Sequence, residues 1–94
     1  MRLTQREKAA IRDAVAVFDP DARVYVFGSR ADDSMRGGDI DLLIISYQMD
    51  PSTIRPLRLR LHDQLGEQKI DIVISQPTLD DPFARKAYLT GVRL

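Results

Sequence analysis

Two acids open an aliphatic run in this chain, and that combination constrains its fold more than any other feature. The run is Asp39-Ile40-Asp41-Leu42-Leu43-Ile44-Ile45; upstream lies Val24-Tyr25-Val26-Phe27-Gly28-Ser29 and a polar spacer. Both apolar stretches are rich in β-branched and aromatic residues, so each reads as a strand, the first ending in a tight Gly-Ser turn. Asp is a poor strand former, yet two of them stand two residues apart. Positions i and i+2 of a strand share a face, which brings both carboxylates out side by side with Cα atoms about 6.6 Å apart. At an effective dielectric near 20 they repel by roughly 2.5 kcal/mol. A hard divalent cation, which takes oxygen ligands, offsets that cost.

The rest of the chain supplies a scaffold for this stretch. Thr4 followed by Glu7 forms a capping-box pattern, and Ile11, Ala14, Val15 and Phe18 give the helix that follows one apolar stripe. Asp19-Pro20-Asp21 ends it. Leu42 to Ile45 runs without a polar break, as in a strand covered on both faces. A second helix is expected after Asp50-Pro51-Ser52, with Ile54, Leu57, Leu61 and Leu65 inward, Pro56 in its first turn and Gly66 as its cap. Residues 69–75 form a third strand with Ile70, Ile72 and Ile74 on one face and Asp71 and Val73 on the other. A last helix starts near Phe83 and stops at Gly91; Phe83, Ala84, Ala87 and Tyr88 lie along one side of it as core or interface. The order α-β-β-α-β-α predicts a single small α/β (α+β) domain over residues 1–94, a mixed sheet with helices packed on it. Whether the first two strands run parallel is not legible in the spacer.

Asp71 is a third anomaly. Between two isoleucines, an unpaired ionised carboxylate is expected to cost several kcal/mol. Three acids on strands suit a two-metal site, in which the cations clamp the attacking and leaving oxygens of an in-line displacement on a triphosphate. Gly28 permits close backbone approach, the Ser29 hydroxyl and the N–H groups after it can hold phosphate oxygens, and Arg30 can pair with phosphate. Blander readings stand beside these. The paired acids can be solvent-facing charges, Asp71 can pair with Lys69 or an arginine, Gly28-Ser29 can be an ordinary turn, and Arg30 can bridge to Asp32 or Asp33. His62 and the Arg55, Arg58, Arg60 group read as solvated helix positions.

Taken together, Phe27-Gly28-Ser29, nine intervening residues, Asp39-Ile40-Asp41 and then Lys69-Ile70-Asp71-Ile72-Val73 resemble the minimal nucleotidyltransferases of the DNA polymerase β superfamily. The resemblance covers nearly the whole chain and implies the fold of that superfamily. It implies metal binding at Asp39 and Asp41, with Asp71 as a further ligand or as base for the attacking hydroxyl, and phosphate contact at Gly28 and Ser29. Two Mg²⁺ ions and ATP as substrate follow, with transfer of AMP to a hydroxyl. Short proteins of this kind resemble antitoxins that adenylylate a helical HEPN-domain ribonuclease toxin, or catalytic halves paired with a helical substrate-binding subunit, so a homo- or hetero-oligomer is expected. Asp32-Asp33 departs from the pattern, since many members carry Gly there. The alternative is a non-catalytic module that masks a toxin.

Composition limits the other options. Fourteen Lys and Arg balance fourteen Asp and Glu, so no bulk basic field supports nucleic-acid or membrane binding. Without cysteine there is neither a disulfide framework nor a thiolate metal site. Residues 1–18 lack a signal-peptide apolar region, and a cytoplasmic location is expected.

Overall fold

Local sequence sets the ends of the first helix. The computed structural model describes residues 3–30 and 39–94, with Ser29 described by its backbone alone. The expected polar spacer, including Asp32, Asp33, Gly37 and Gly38, lies outside the described residues. Helix α1 spans Gln5–Phe18. Thr4 Oγ1 accepts from the Glu7 N–H at 3.0 Å, and Glu7 Oε1 accepts from the Thr4 N–H at 2.9 Å, so the expected capping box is present. Ile11, Ala14 and Val15 are buried, and Phe18 packs against the same core.

Among the described residues four strands follow: β1 (Arg23–Phe27), β2 (Ile40–Ile45), β3 (Ile70–Ser75) and β4 (Val92–Arg93). They form one mixed sheet in the order β3-β2-β1-β4. β1 and β2 are antiparallel, β2 and β3 parallel, and β4 pairs antiparallel with the other side of β1. The parallel connection carries helix α2 (Ile54–Leu65), entered through a 3₁₀ turn at Pro51–Thr53. Gly66 closes it at φ 82°, a left-handed conformation that glycine adopts without a Cβ penalty. Helix α3 (Pro82–Thr90) precedes β4. Sequence reading stopped the chain's regular structure at Gly91. The short β4 was missed because only its pairing with β1 defines it.

The pleat of β2 divides the core in two. Ile40, Leu42 and Ile44 join Ile11, Val15, Leu57 and Leu61 beneath α1 and α2. Leu43 and Ile45 face the other way, against Tyr25 and the Ala84 and Ala87 of α3. The aliphatic run is thus covered on both faces, as its continuity predicts. A buried polar contact closes the far end of the sheet. Ser46 Oγ donates to Asp19 Oδ2 and accepts the N–H groups of Gln48 and Met49, both at 3.0 Å. Asp19 Oδ1 accepts the Asp21 N–H, so this buried carboxylate is satisfied.

Three expectations change. Asp71 is exposed, because β3 lies at a sheet edge, and the predicted burial cost does not arise. Arg58 is not merely solvated: its Nε donates to the Ile70 carbonyl at 3.1 Å. His62 Nε2 lies 2.9 Å from the Gln68 carbonyl, so as donor it ties α2 to the turn leading into β3.

Candidate active site

β1 delivers the chain to Gly28 and the sheet register does the rest. Phe27 stands opposite Asp41, and Asp41 stands opposite Asp71. Directly opposed residues share a face, and neighbouring strands are about 4.8 Å apart, so Asp41 and Asp71 are adjacent on the α3 side of the sheet. Gly28 begins a single 3₁₀ turn through Arg30 with φ 71°. A Cβ on Gly28 would overlap Asp41 Oδ2. Glycine therefore serves twice here: it tolerates the left-handed φ, and it vacates the space that the carboxylate fills.

Asp39 lies one residue before β2, with its Oδ2 3.7 Å from Lys69 Nζ. Their side chains are 50% and 68% exposed, so this ion pair is weak. Lys69, weighed as a partner for Asp71, is paired with Asp39 instead. Asp41 sits under electrostatic strain. Burial raises its pKa above the ordinary carboxylate range; the Asp71 charge, a side-chain hydrogen bond with Asp71 and the Asp39 charge raise it further, while Lys69 opposes them. The repulsion expected between Asp39 and Asp41 exists, yet Asp71 across the strands outweighs it. Register, which sequence spacing cannot show, causes that reversal.

Arg30 Nη2 donates to Gln68 Oε1 at 3.3 Å, joining the Gly-Ser turn to the turn before β3. Gln68 also donates from Nε2 to the Leu65 carbonyl at 2.9 Å. Gly28, Arg30, Asp39, Asp41 and Asp71 are thus gathered at one end of the sheet. For Ser29 the 3₁₀ backbone alone is described. Gln68 carries no signal in the sequence for its place in this group, and Lys69 is expected there only as a partner of Asp71. Lys69 carries a readable signal, since it stands at i−2 from Asp71 and so leans to the same side.

Among the described residues no three His, Cys, Asp or Glu side chains converge as a ready-made metal cage. The donor chemistry nevertheless fits a hard divalent cation. All three acids offer oxygen ligands, Gly28 opens the space at Asp41, and mutual repulsion already disfavours the ionised Asp41. A cation between these groups reverses that repulsion.

The Gly28 turn and the strand-borne carboxylates thus meet at one end of a mixed sheet. The family model described as Polymerase beta, Nucleotidyltransferase matches residues 14–94, and the chain belongs to that family. No curated protein is similar enough to count as a match. Among the described residues no helix is long and apolar enough to cross a membrane.

Proposed function

We propose that the chain transfers AMP from ATP to a hydroxyl on a partner protein, with Mg²⁺ held by Asp39, Asp41 and Asp71. The observation that carries this reading is the register pairing of Asp41 with Asp71 beside a glycine whose missing side chain the Asp41 carboxylate occupies. When bound, the divalent cation supplies charge neutralisation for the triphosphate and for the oxygens that attack and leave. The chain's own groups supply position. The 3₁₀ turn at Gly28 supports phosphate contact through its N–H groups, and Arg30 at the end of that turn would pair its guanidinium with phosphate. Asp71 is exposed and registered opposite Asp41, which supports a role for it as acceptor of the proton of the incoming hydroxyl. The acceptor oxygen bonds to the α-phosphorus as the bond to the pyrophosphate oxygen breaks, and pyrophosphate leaves.

The resemblance to minimal nucleotidyltransferases supports a helical HEPN-type toxin as the acceptor and an antitoxin role for this chain. The test is to co-purify the chain with the product of its neighbouring gene, add ATP and Mg²⁺, and record intact masses. One or more added AMP units on the partner, absent with Asp41→Asn, is the expected result. An intact complex with no mass gain overturns protein adenylylation and returns a masking role to the front.

A further inference from the structure

One large aromatic ring stands in solvent at the rim of this site. Phe83, on the first turn of α3, is 56% exposed although the stripe it belongs to is otherwise inward. Its ring meets that of Phe27 edge-on, with centroids 5.9 Å apart and planes at 79°. Phe27 immediately precedes Gly28 and opposes Asp41 across the sheet. The aromatic pair therefore flanks the Gly-Ser turn and the carboxylates on one face. In an edge-to-face pair, the ring that offers its edge keeps both faces uncovered by its partner, and the other ring keeps one.

The backbone holds Phe83 firmly. Pro82 occupies the first helical position with its φ already set, and Asp81 Oδ1 accepts the Phe83 N–H at 3.2 Å. Upstream, the guanidinium of Arg85 donates from Nε and Nη2 to the Leu79 carbonyl at 3.3 and 3.1 Å. Leu79 itself sits at φ 52°, a conformation leucine seldom adopts unless its surroundings impose it. This anchored segment fixes an exposed ring instead of burying it. Leaving an ordered phenyl face in water forfeits burial energy, and a planar aromatic ligand recovers it.

We infer that Phe83, backed by Phe27, is the platform on which the nucleobase of the bound nucleoside triphosphate stacks. The inference rests on the nucleotidyl-transfer reading and adds a base subsite to it. Phosphates go to the Gly28 turn and the carboxylate end; the base goes to the rings beside them. Stacking uses the π-face that every base has, so the platform secures a nucleoside without choosing strictly among bases. Purines, with the larger face, gain most.

The test measures binding to the full chain with Mg²⁺ by calorimetry, using α,β-methylene-ATP and inorganic tripolyphosphate as separate probes. Phe83→Ala is expected to weaken the ATP analogue about tenfold, within the range for loss of one base stack. It should leave tripolyphosphate unchanged, and Phe83→Trp should restore or tighten analogue binding. A thermal melt on each variant separates loss of fold from loss of the ring. Equal affinity of wild type and Phe83→Ala for the analogue overturns the platform, as does an equal loss for both probes. Wild type that binds tripolyphosphate as tightly as the analogue also overturns the platform while leaving phosphate recognition in place. Wild type that binds neither probe overturns the nucleotidyl-transfer reading and the platform together.

Discussion

The two faces of β2 divide its six residues between opposite purposes. On the α1–α2 side, Ile40, Leu42 and Ile44 are fully buried in one large apolar cluster. On the α3 side, Leu43 and Ile45 are buried as well, but the next position in that row is Asp41. The first face is free to maximise burial. The second places a half-buried acid beside Asp71 and accepts the repulsion. Alternation along a strand lets both demands be met by one segment, because neighbouring residues never share a face. The stable face holds the position of the strained one.

Breaking one face at a time tests this division. The largest effect is expected from Asp41→Asn, which removes the charge of the proposed cation ligand while keeping the side chain's shape. Transfer activity should fall by on the order of 10³-fold, the scale of losing a preorganised electrostatic contact, while the melting temperature stays level or rises. A variant that instead melts well below wild type would show Asp41 to be a structural residue. Leu61→Ala should behave in the opposite way. Leu61 is fully buried beneath the first face, and such truncations cost about 2–5 kcal/mol. Urea unfolding should register that loss, with activity per folded molecule retained.

Gly28→Ala sharpens the comparison by joining backbone and site. The left-handed φ costs an alanine roughly 1–2 kcal/mol, and its Cβ would displace the Asp41 carboxylate. Activity should therefore fall far more than stability does. Full activity in Gly28→Ala would mean that the Asp41 carboxylate need not occupy that space.

These contrasts also show which parts of the molecule are legible in sequence. The Thr4 cap, the ends of β1, the inward row of α2 and the Gly66 stop are local, set by residues within one or two turns of each other. All are read correctly. The pairing of β1 with β4, the edge position of β3 and the exposure of Asp71 depend on which distant segments meet, and spacing along the chain does not encode that. At the candidate site, the i,i+2 spacing of Asp39 and Asp41 and the Gly28 turn are legible in the sequence, and the fold sets Gly28 against Asp41 and Asp71 opposite it. The electrostatic ranking of the site was not legible, because Asp71 acts on Asp41 across strands. Nor were the links from Arg58 and His62 to backbone carbonyls, which exist only once β3 has its place against α2. The stripe of Phe83, Ala84, Ala87 and Tyr88 reads as core or interface, and period 3.6 alone does not tell that Ala84 and Ala87 are buried while Phe83 is exposed.

Smaller still is the effect expected at the start of α1. Thr4→Ala removes the hydroxyl that accepts the Glu7 N–H, at a cost of about 1 kcal/mol. The cap lies on the α1 side and away from the carboxylates, so activity should not change. A joint loss of stability and activity would mean that α1 is coupled to the site beyond its packing.

The finest distinction is one of sign with pH, and two acids supply it. Asp50 has its pKa lowered by side-chain and backbone hydrogen bonds from Ser52, with a smaller backbone contribution from Thr53. Its contribution is present above the unfolded value of about 3.9 and is lost as pH falls through the lower folded value. Asp41 is raised by burial, by Asp71 and by Asp39, so the folded chain holds that proton more tightly than the unfolded chain does. Its linkage therefore makes stability decline as pH rises from about 3.9 through the raised folded value. Melting in EDTA across this window should show a shallow decline for wild type that Asp41→Asn removes. At neutral pH the variant should be at least as stable as wild type, since it removes a charge that burial, Asp71 and Asp39 all disfavour. A decline that persists unchanged in Asp41→Asn would assign it to another group. A decline that vanishes would locate the strain of the second face at the one residue where the sheet exchanges an apolar side chain for an acid.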